Sequence, residues 1–118
     1  MRDFRKLEIW KNGIEIVKQV YILSNFLPSE EKFGLKSQIT RASVSIPSNI
    51  AEGCSRNSKI EFKRFLEIAM GSLFELETEL IIIQELELIS KDKLESIFEL
   101  LNKEAKMINS LINTIKNS

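Results

Sequence analysis

Between Arg41 and Arg64 the chain reads RASVSIPSNIAEGCSRNSKIEFKR, a run crowded with hydroxyls, one thiol and basic side chains. Ser43, Ser45, Ser48 and Asn49 are residue types that serve in acyl or phosphoryl chemistry. A serine nucleophile, however, needs a neighbouring base to take its proton. The sequence contains no histidine, and no lysine falls inside the serine-rich motif, so no catalytic residue is expected there. Cys54, the single cysteine, cannot anchor zinc alone. Carboxylates are plentiful at Glu75, Glu77, Glu79, Glu85 and Glu87, but a di-iron site of the helical-bundle type needs Glu-x-x-His pairs. No metal is expected. The glycines at 13, 34, 53 and 71 are isolated, so no loop is built to cradle a phosphate and no cofactor is expected.

One cluster suits a polyanion, RNA or DNA. Arg56, Lys59, Lys63 and Arg64 gather around the start of a predicted helix, where the helix end adds partial positive charge. Glu52, Glu61 and Glu67 dilute this patch, and a merely solvated surface is the competing reading.

These residues must be held by helices, because four segments have helical periodicity and none sustains strand alternation. The first spans about Phe4 to Leu27. One apolar stripe on it is Phe4, Leu7, Trp10, Ile14, Val17 and Tyr21; a second is Ile9, Ile16, Val20, Leu23 and Leu27. So wide an apolar arc predicts burial on more than one side. Ile9, Trp10, Ile16, Val20 and Tyr21 are therefore candidate contacts between subunits, since Trp and Tyr are favoured at interfaces. The alternative is that both stripes pack within one protomer. Helix two starts near Ser29, with Leu35, Ile39, Ala42, Ile46 and Ile50 inward and Gly53 as a left-handed terminator. Helix three opens with a Ser58–Glu61 capping box and carries a heptad seam from Phe62 to about Leu88. Ser90 caps helix four, whose seam is Leu94, Ile97, Leu101, Ala105, Ile108, Ile112 and Ile115. Short connections make neighbours antiparallel, so the expected fold is all-α, an up-down-up-down four-helix bundle in one domain over residues 1–118.

Pro47 falls inside helix two. It has no N–H for the carbonyl of Ser43, a defect of about 3 kcal/mol in a helix interior. A bend is expected, with Ser43, Ser45, Ser48 and Asn49 offering hydrogen bonds to the freed backbone. Ala42, Ser45 and Asn49 share a face, as do Ala69 and Ser72 on helix three with Gly71 beside them, which predicts close helix approach. Arg41 is expected to pair with Glu75, or with Glu67, or to remain solvated.

The chain balances 17 basic against 17 acidic residues, and its charge is uneven along the sequence. Residues 1–59 carry ten bases and six acids; residues 60–118 carry seven bases and eleven acids. Antiparallel packing of oppositely charged halves accounts for this, and overall neutrality counts against a dedicated nucleic-acid binder. No apolar run approaches the ~18 residues of a membrane span. No secretory signal is visible, and one unpaired cysteine suits a reducing cytoplasm.

From Gln38 to Leu80 the sequence resembles a bacterial family, the four-helix bundle proteins encoded in intervening sequences of 23S ribosomal RNA genes. The resemblance rests on Arg41–Ala42, Ser45–Ile46–Pro47, Asn49 to Gly53, Arg56, Ala69, Gly71–Ser72 and Glu75–Leu76–Glu77, and it extends to LEIWKNGIEIVKQVYILSNFLPSEEKFGL near the N-terminus. It implies a structural motif made of Arg41, Ser45, Pro47, Asn49, Gly53, Gly71, Ser72 and Glu75, and assembly as a ring-like homopentamer. It also implies kinship with the accessory protein of diversity-generating retroelements, which binds a reverse transcriptase and nucleic acid through a basic surface. The neutral charge of this chain departs from that pattern. The expected role is a cytoplasmic, non-enzymatic interaction module, with a nucleic-acid or ribonucleoprotein adaptor as the alternative.

Overall fold

The structure, a computed structural model, describes residues 2–118. Four helices, α1 (Glu8–Ser24), α2 (Leu35–Cys54), α3 (Lys59–Glu85) and α4 (Lys91–Lys116), form a rod of 45 × 22 × 20 Å. Each packs on its neighbours in chain order, and α4 closes back on α1. This is the antiparallel up-down-up-down bundle that the short connections dictate.

The dry seam holds Ile16, Val20, Ile39, Ile46, Ile50, Leu66, Leu73, Leu76, Leu80, Leu94, Ile97, Leu101 and Ile108. Each such side chain contributes roughly 1.5–3 kcal/mol when fully buried, so the seam dominates stability. Ile9, Ile16 and Val20 belong to it, which corrects their assignment as contacts between subunits: they are used up inside the protomer. Of the two stripes on α1, the one through Ile9, Ile16, Val20, Leu23 and Leu27 faces the core.

Local chemistry accounts for the boundaries. α1 starts later than its periodicity suggests, because the Asp3 carboxylate accepts from the Arg5 N–H and winds Phe4–Lys6 into a 3-10 turn. Leu7 is then extended, and the helix begins at Glu8. α2 begins at Leu35 and not near Ser29, because Ser29–Glu31 is a separate 3-10 turn. Its first N–H, from Leu35, donates to the Glu31 carboxylate at 3.2 Å. Ser58 caps α3 as expected, accepting from the Glu61 N–H at 3.0 Å, although the Glu61 carboxylate meets the Ser58 hydroxyl and not its backbone. α3 ends at Glu85, ahead of Leu88, and Glu87 turns the chain with a φ of 56°. Ser90 precedes α4 without a side-chain capping bond.

Two glycine expectations are overturned. Gly53 lies within α2 and has no positive φ. It is glycine because a Cβ there would sit 2.7 Å from Phe65 Cβ and 3.2 Å from the Phe62 ring. Gly71, by contrast, is exposed and faces open space, so it brings no helices together. Close approach of α2 and α3 is instead marked by the Ser45 and Ser72 hydroxyls, 2.8 Å apart, with Asn49 donating to the Ser45 carbonyl and hydroxyl. In that register Arg41 is exposed, one turn beyond Ser45. It forms no ion pair with Glu75 or Glu67 among the described residues, and Glu67 pairs with Lys63 at 3.5 Å.

Urea denaturation should separate the two glycines. Gly53→Ala is expected to lose about 1–3 kcal/mol by overpacking against Phe65, despite its better helix propensity. Gly71→Ala should gain roughly 0.5–1 kcal/mol, since a methyl there meets nothing.

Candidate functional site

Up-down-up-down topology brings the N-terminus, the α2–α3 loop and the C-terminus to one end of the rod. Two hydrogen bonds fasten it: Arg2 N–H donates to the Cys54 carbonyl at 3.1 Å, and Lys59 Nζ donates to Ser118 Oγ at 3.3 Å. Arg56, Lys59, Lys63 and Arg64 are therefore joined at this end by Arg2, Arg5, Lys6 and Lys116, which are remote in sequence. The uneven charge thus has an axial component as well as a division between halves of the chain.

The four sequence-selected bases are not equally free. Arg56 lies 5.0 Å from the Phe65 ring and 3.4 Å from the Glu52 carboxylate. Lys63 pairs with Glu67. Lys59 and Arg64 are exposed, and Arg64 has no ion pair among the described residues. Two further guanidinium groups lie over aromatic faces, Arg2 at 4.1 Å from the Phe62 centroid and Arg5 at 4.4 Å from Phe4. Cation–π contact of this kind attracts the guanidinium to the ring while leaving its N–H groups as hydrogen-bond donors. The clue in the sequence was the basic RDFRK start, read together with the topology that folds it back onto the Arg56 loop.

At the opposite end, α1 and the start of α2 leave an apolar groove of about 590 Å³ lined by Tyr21, Ile22, Lys32, Phe33 and Lys36. Phe33 is 89% exposed, and Tyr21, Ile22 and Phe26 are exposed beside it. Tyr21 is thus open to a partner, whereas Trp10 is half-buried, its ring 5.2 Å from that of Phe4. The outer face of α3 carries a second set of exposed apolar residues, Phe74, Ile81 and Ile82, among Glu75 and Glu85.

Two acids lie inside the bundle: Glu79, weighed in the sequence only as a metal ligand, and Glu104, which the sequence pattern does not mark. Glu104 on α4 is 0% exposed; its Oε1 accepts from Asn12 Nδ2 at 3.0 Å while its Oε2 has no partner. Burial pushes its pKa up to about 7, against the Asn12 hydrogen bond and the Lys103 charge, which both pull it down. Glu79 on α3 is also buried, with Oε1 unpartnered, and burial followed by repulsion from Glu75 raises it to about 7. Burial likewise raises the Cys54 thiol, so it is a poor nucleophile. Apolar patterning hides Glu104, because its neighbour Ala105 is the apolar residue next to the seam position. The alternating three-and-four spacing from Leu94 through Ile97 and Leu101 lands on 104, and geometry prevails over polarity.

A family model described as 23S rRNA-intervening sequence protein matches residues 5–110. Among solved structures, the crystal structure of a protein with unknown function from the S23 ribosomal protein family of Bacteroides thetaiotaomicron VPI-5482 is similar, with a TM-score of 0.82. It is 28% identical, and the match covers 88% of this chain and 97% of that one. No curated protein sequence matches the chain.

The Glu104 carboxyl makes stability depend on pH. Its folded pKa lies above the ordinary 4.5, so the folded state binds the extra proton between about pH 4.5 and 7. Unfolding free energy should therefore fall as pH rises through that window and level off above it, by about 3 kcal/mol for this group. Denaturation at pH 5 and pH 8 checks this: Glu104→Gln should remove the share of Glu104 and leave that of Glu79, which titrates over the same window.

Proposed function

The chain belongs to the 23S rRNA-intervening sequence protein family, and from that premise we propose that it is a non-enzymatic module that assembles with copies of itself and acts through the surface of the assembly. The observation that carries this reading is the pair of unlike apolar faces left uncovered on the protomer. The α1–α2 groove presents Tyr21, Ile22 and Phe33 with Lys32 and Lys36; the outer face of α3 presents Phe74, Ile81 and Ile82 with Glu75 and Glu85. Exposed apolar patches of this kind mark interaction sites. Two different faces of opposite charge suit head-to-tail contact between copies, and such contacts close into rings. Five copies is the number the family resemblance implies. Trp10 packs its ring against Phe4 at the entry to α1, and exposed Tyr21 is the candidate interface residue that a sister copy can reach.

Non-enzymatic action is supported by what the polar residues of the central motif do. Ser45, Asn49 and Ser72 spend their hydrogen bonds on one another and on the α2 backbone. Ser43 donates to the Thr40 carbonyl. With no histidine in the sequence, none of these hydroxyls has an imidazole base to activate it.

A second reading, a nucleic-acid or ribonucleoprotein adaptor, is favoured by one specific observation: the basic end of the rod, where Arg2, Arg5, Lys6, Arg56, Lys59 and Arg64 converge. A phosphate backbone recognised there would release counterions in proportion to the contacts made.

Light scattering tests the first reading. Ile22→Asp combined with Phe33→Asp should reduce the assembled mass toward 13.6 kDa while helical content is unchanged. These exposed sites should alter protomer stability by no more than about 0.5 kcal/mol each. An unchanged mass would exclude the groove. For the adaptor, single-stranded RNA should bind with an affinity that falls steeply with salt. Arg5→Ala and Arg56→Ala should each reduce the log–log slope by roughly one unit or less. A flat dependence on salt would remove that reading.

A further inference from the structure

Four residues that each go against helical preference meet midway along the bundle. Gly13 lies inside α1 and Pro47 inside α2, while Asn12 and Glu104 place polar groups where water does not reach. A Cβ on Gly13 would stand 3.3 Å from Pro47 Cβ, 3.5 Å from Pro47 Cδ and 3.5 Å from Glu104 Oε2, so the glycine leaves room for both. On the other side of the carboxyl, the Asn12 amide donates to Glu104 Oε1 and to the Leu100 carbonyl.

Two polar atoms remain unaccounted for in this neighbourhood. Glu104 Oε2 has no partner. The Ser43 carbonyl would ordinarily receive the N–H of residue 47, which proline lacks, and Ser43 is itself wholly buried. One is an oxygen that can carry a proton; the other is an acceptor missing its donor. Both border Pro47.

We propose that Glu104 is carried as the neutral acid and donates its Oε2 proton to the Ser43 carbonyl, making the α1–α2–α4 junction a clasp that holds while protonated and slackens on ionisation. Each anomaly then has a reason. Pro47 empties the acceptor, Gly13 admits the acid, and the Asn12 amide orients it by occupying Oε1. The raised pKa of Glu104 fits a site whose neutral form is the one that hydrogen-bonds. On ionisation the proton passes to solvent, the Ser43 carbonyl is again unpaired, and a carboxylate remains in the seam with only the Asn12 amide and the Leu100-bound side of that amide for support.

The surrounding charges do not supply an ion pair. Lys103 on the same helix favours ionisation but falls short of overcoming burial. α1 meets the acid with Asn12 and Gly13, and α2 with Pro47, none of them ionisable. Lys11 on α1, Arg41 and Glu52 on α2, and Glu67 and Glu75 on α3 are exposed, and Glu15 on α1 pairs with Lys18. Glu79, the other buried acid, responds to Glu75.

The test is the ¹³C titration of the Glu104 side-chain carboxyl in the full chain. The native resonance should titrate near neutrality. Pro47→Ala returns a backbone N–H to the Ser43 carbonyl, so the midpoint should fall by about one unit or more toward the ordinary glutamate range. Asn12→Ala should shift the midpoint upward, because that hydrogen bond favours the ionised form. An ordinary native midpoint overturns the proposal, as does a midpoint that Pro47→Ala leaves in place. Should Pro47→Ala fail to fold, the Ser43 carbonyl ¹³C shift of the native protein decides. Movement with the same midpoint as Glu104 supports the clasp, and no movement across that range overturns it.

Discussion

Four amphipathic rods share one waterless seam, and any polar group admitted to it must find its partner inside. An unpaired polar group there costs about 1–3 kcal/mol, and a charge much more. That constraint accounts for the arrangement of the polar residues. The hydroxyls of Ser45 and Ser72 meet across the α2–α3 contact, Asn49 returns to its own helix, and Ser43 bonds to Thr40. The motif around Pro47 is thus a set of mutually satisfied groups that fixes how α2 lies on α3.

Because the seam absorbs Ile9, Ile16 and Val20, the protomer completes its own core and does not need a partner to close it. What remains outside is a different resource: an apolar groove edged by lysines at one place and an apolar, acidic helix face at another. The same economy separates the ends of the rod. Its termini and the α2–α3 loop concentrate arginines, three with the guanidinium carbon over a phenylalanine ring, while the far end presents Phe33 and Tyr21. The two proposed readings, assembly and polyanion contact, would therefore draw on separate surfaces and do not compete.

The helices were legible because their seams repeat at three and four residues, and the family was legible in the segment from Arg41 to Glu77. Ends were less so, since Asp3 and Glu31 set them through single hydrogen bonds that periodicity does not encode. Gly53 has the look of a terminator in one dimension, yet only the packing of Phe62 and Phe65 shows why a Cβ is refused. Glu104 was hidden by the assumption that apolar Ala105 must be the inward residue. The cluster from Arg56 to Arg64 is legible in the sequence, whereas Arg2, Arg5, Lys6 and Lys116 lie some fifty residues from it along the chain and join it only through topology.

The proposed assembly requires that a protomer with a complete core use its leftover apolar faces to recruit further copies. Sedimentation equilibrium of the unmodified chain over a wide dilution series tests it most directly. The expected result is a discrete species at a multiple of 13.6 kDa that persists on dilution, with five copies as the expected number. A single 13.6 kDa species at every concentration would contradict the account.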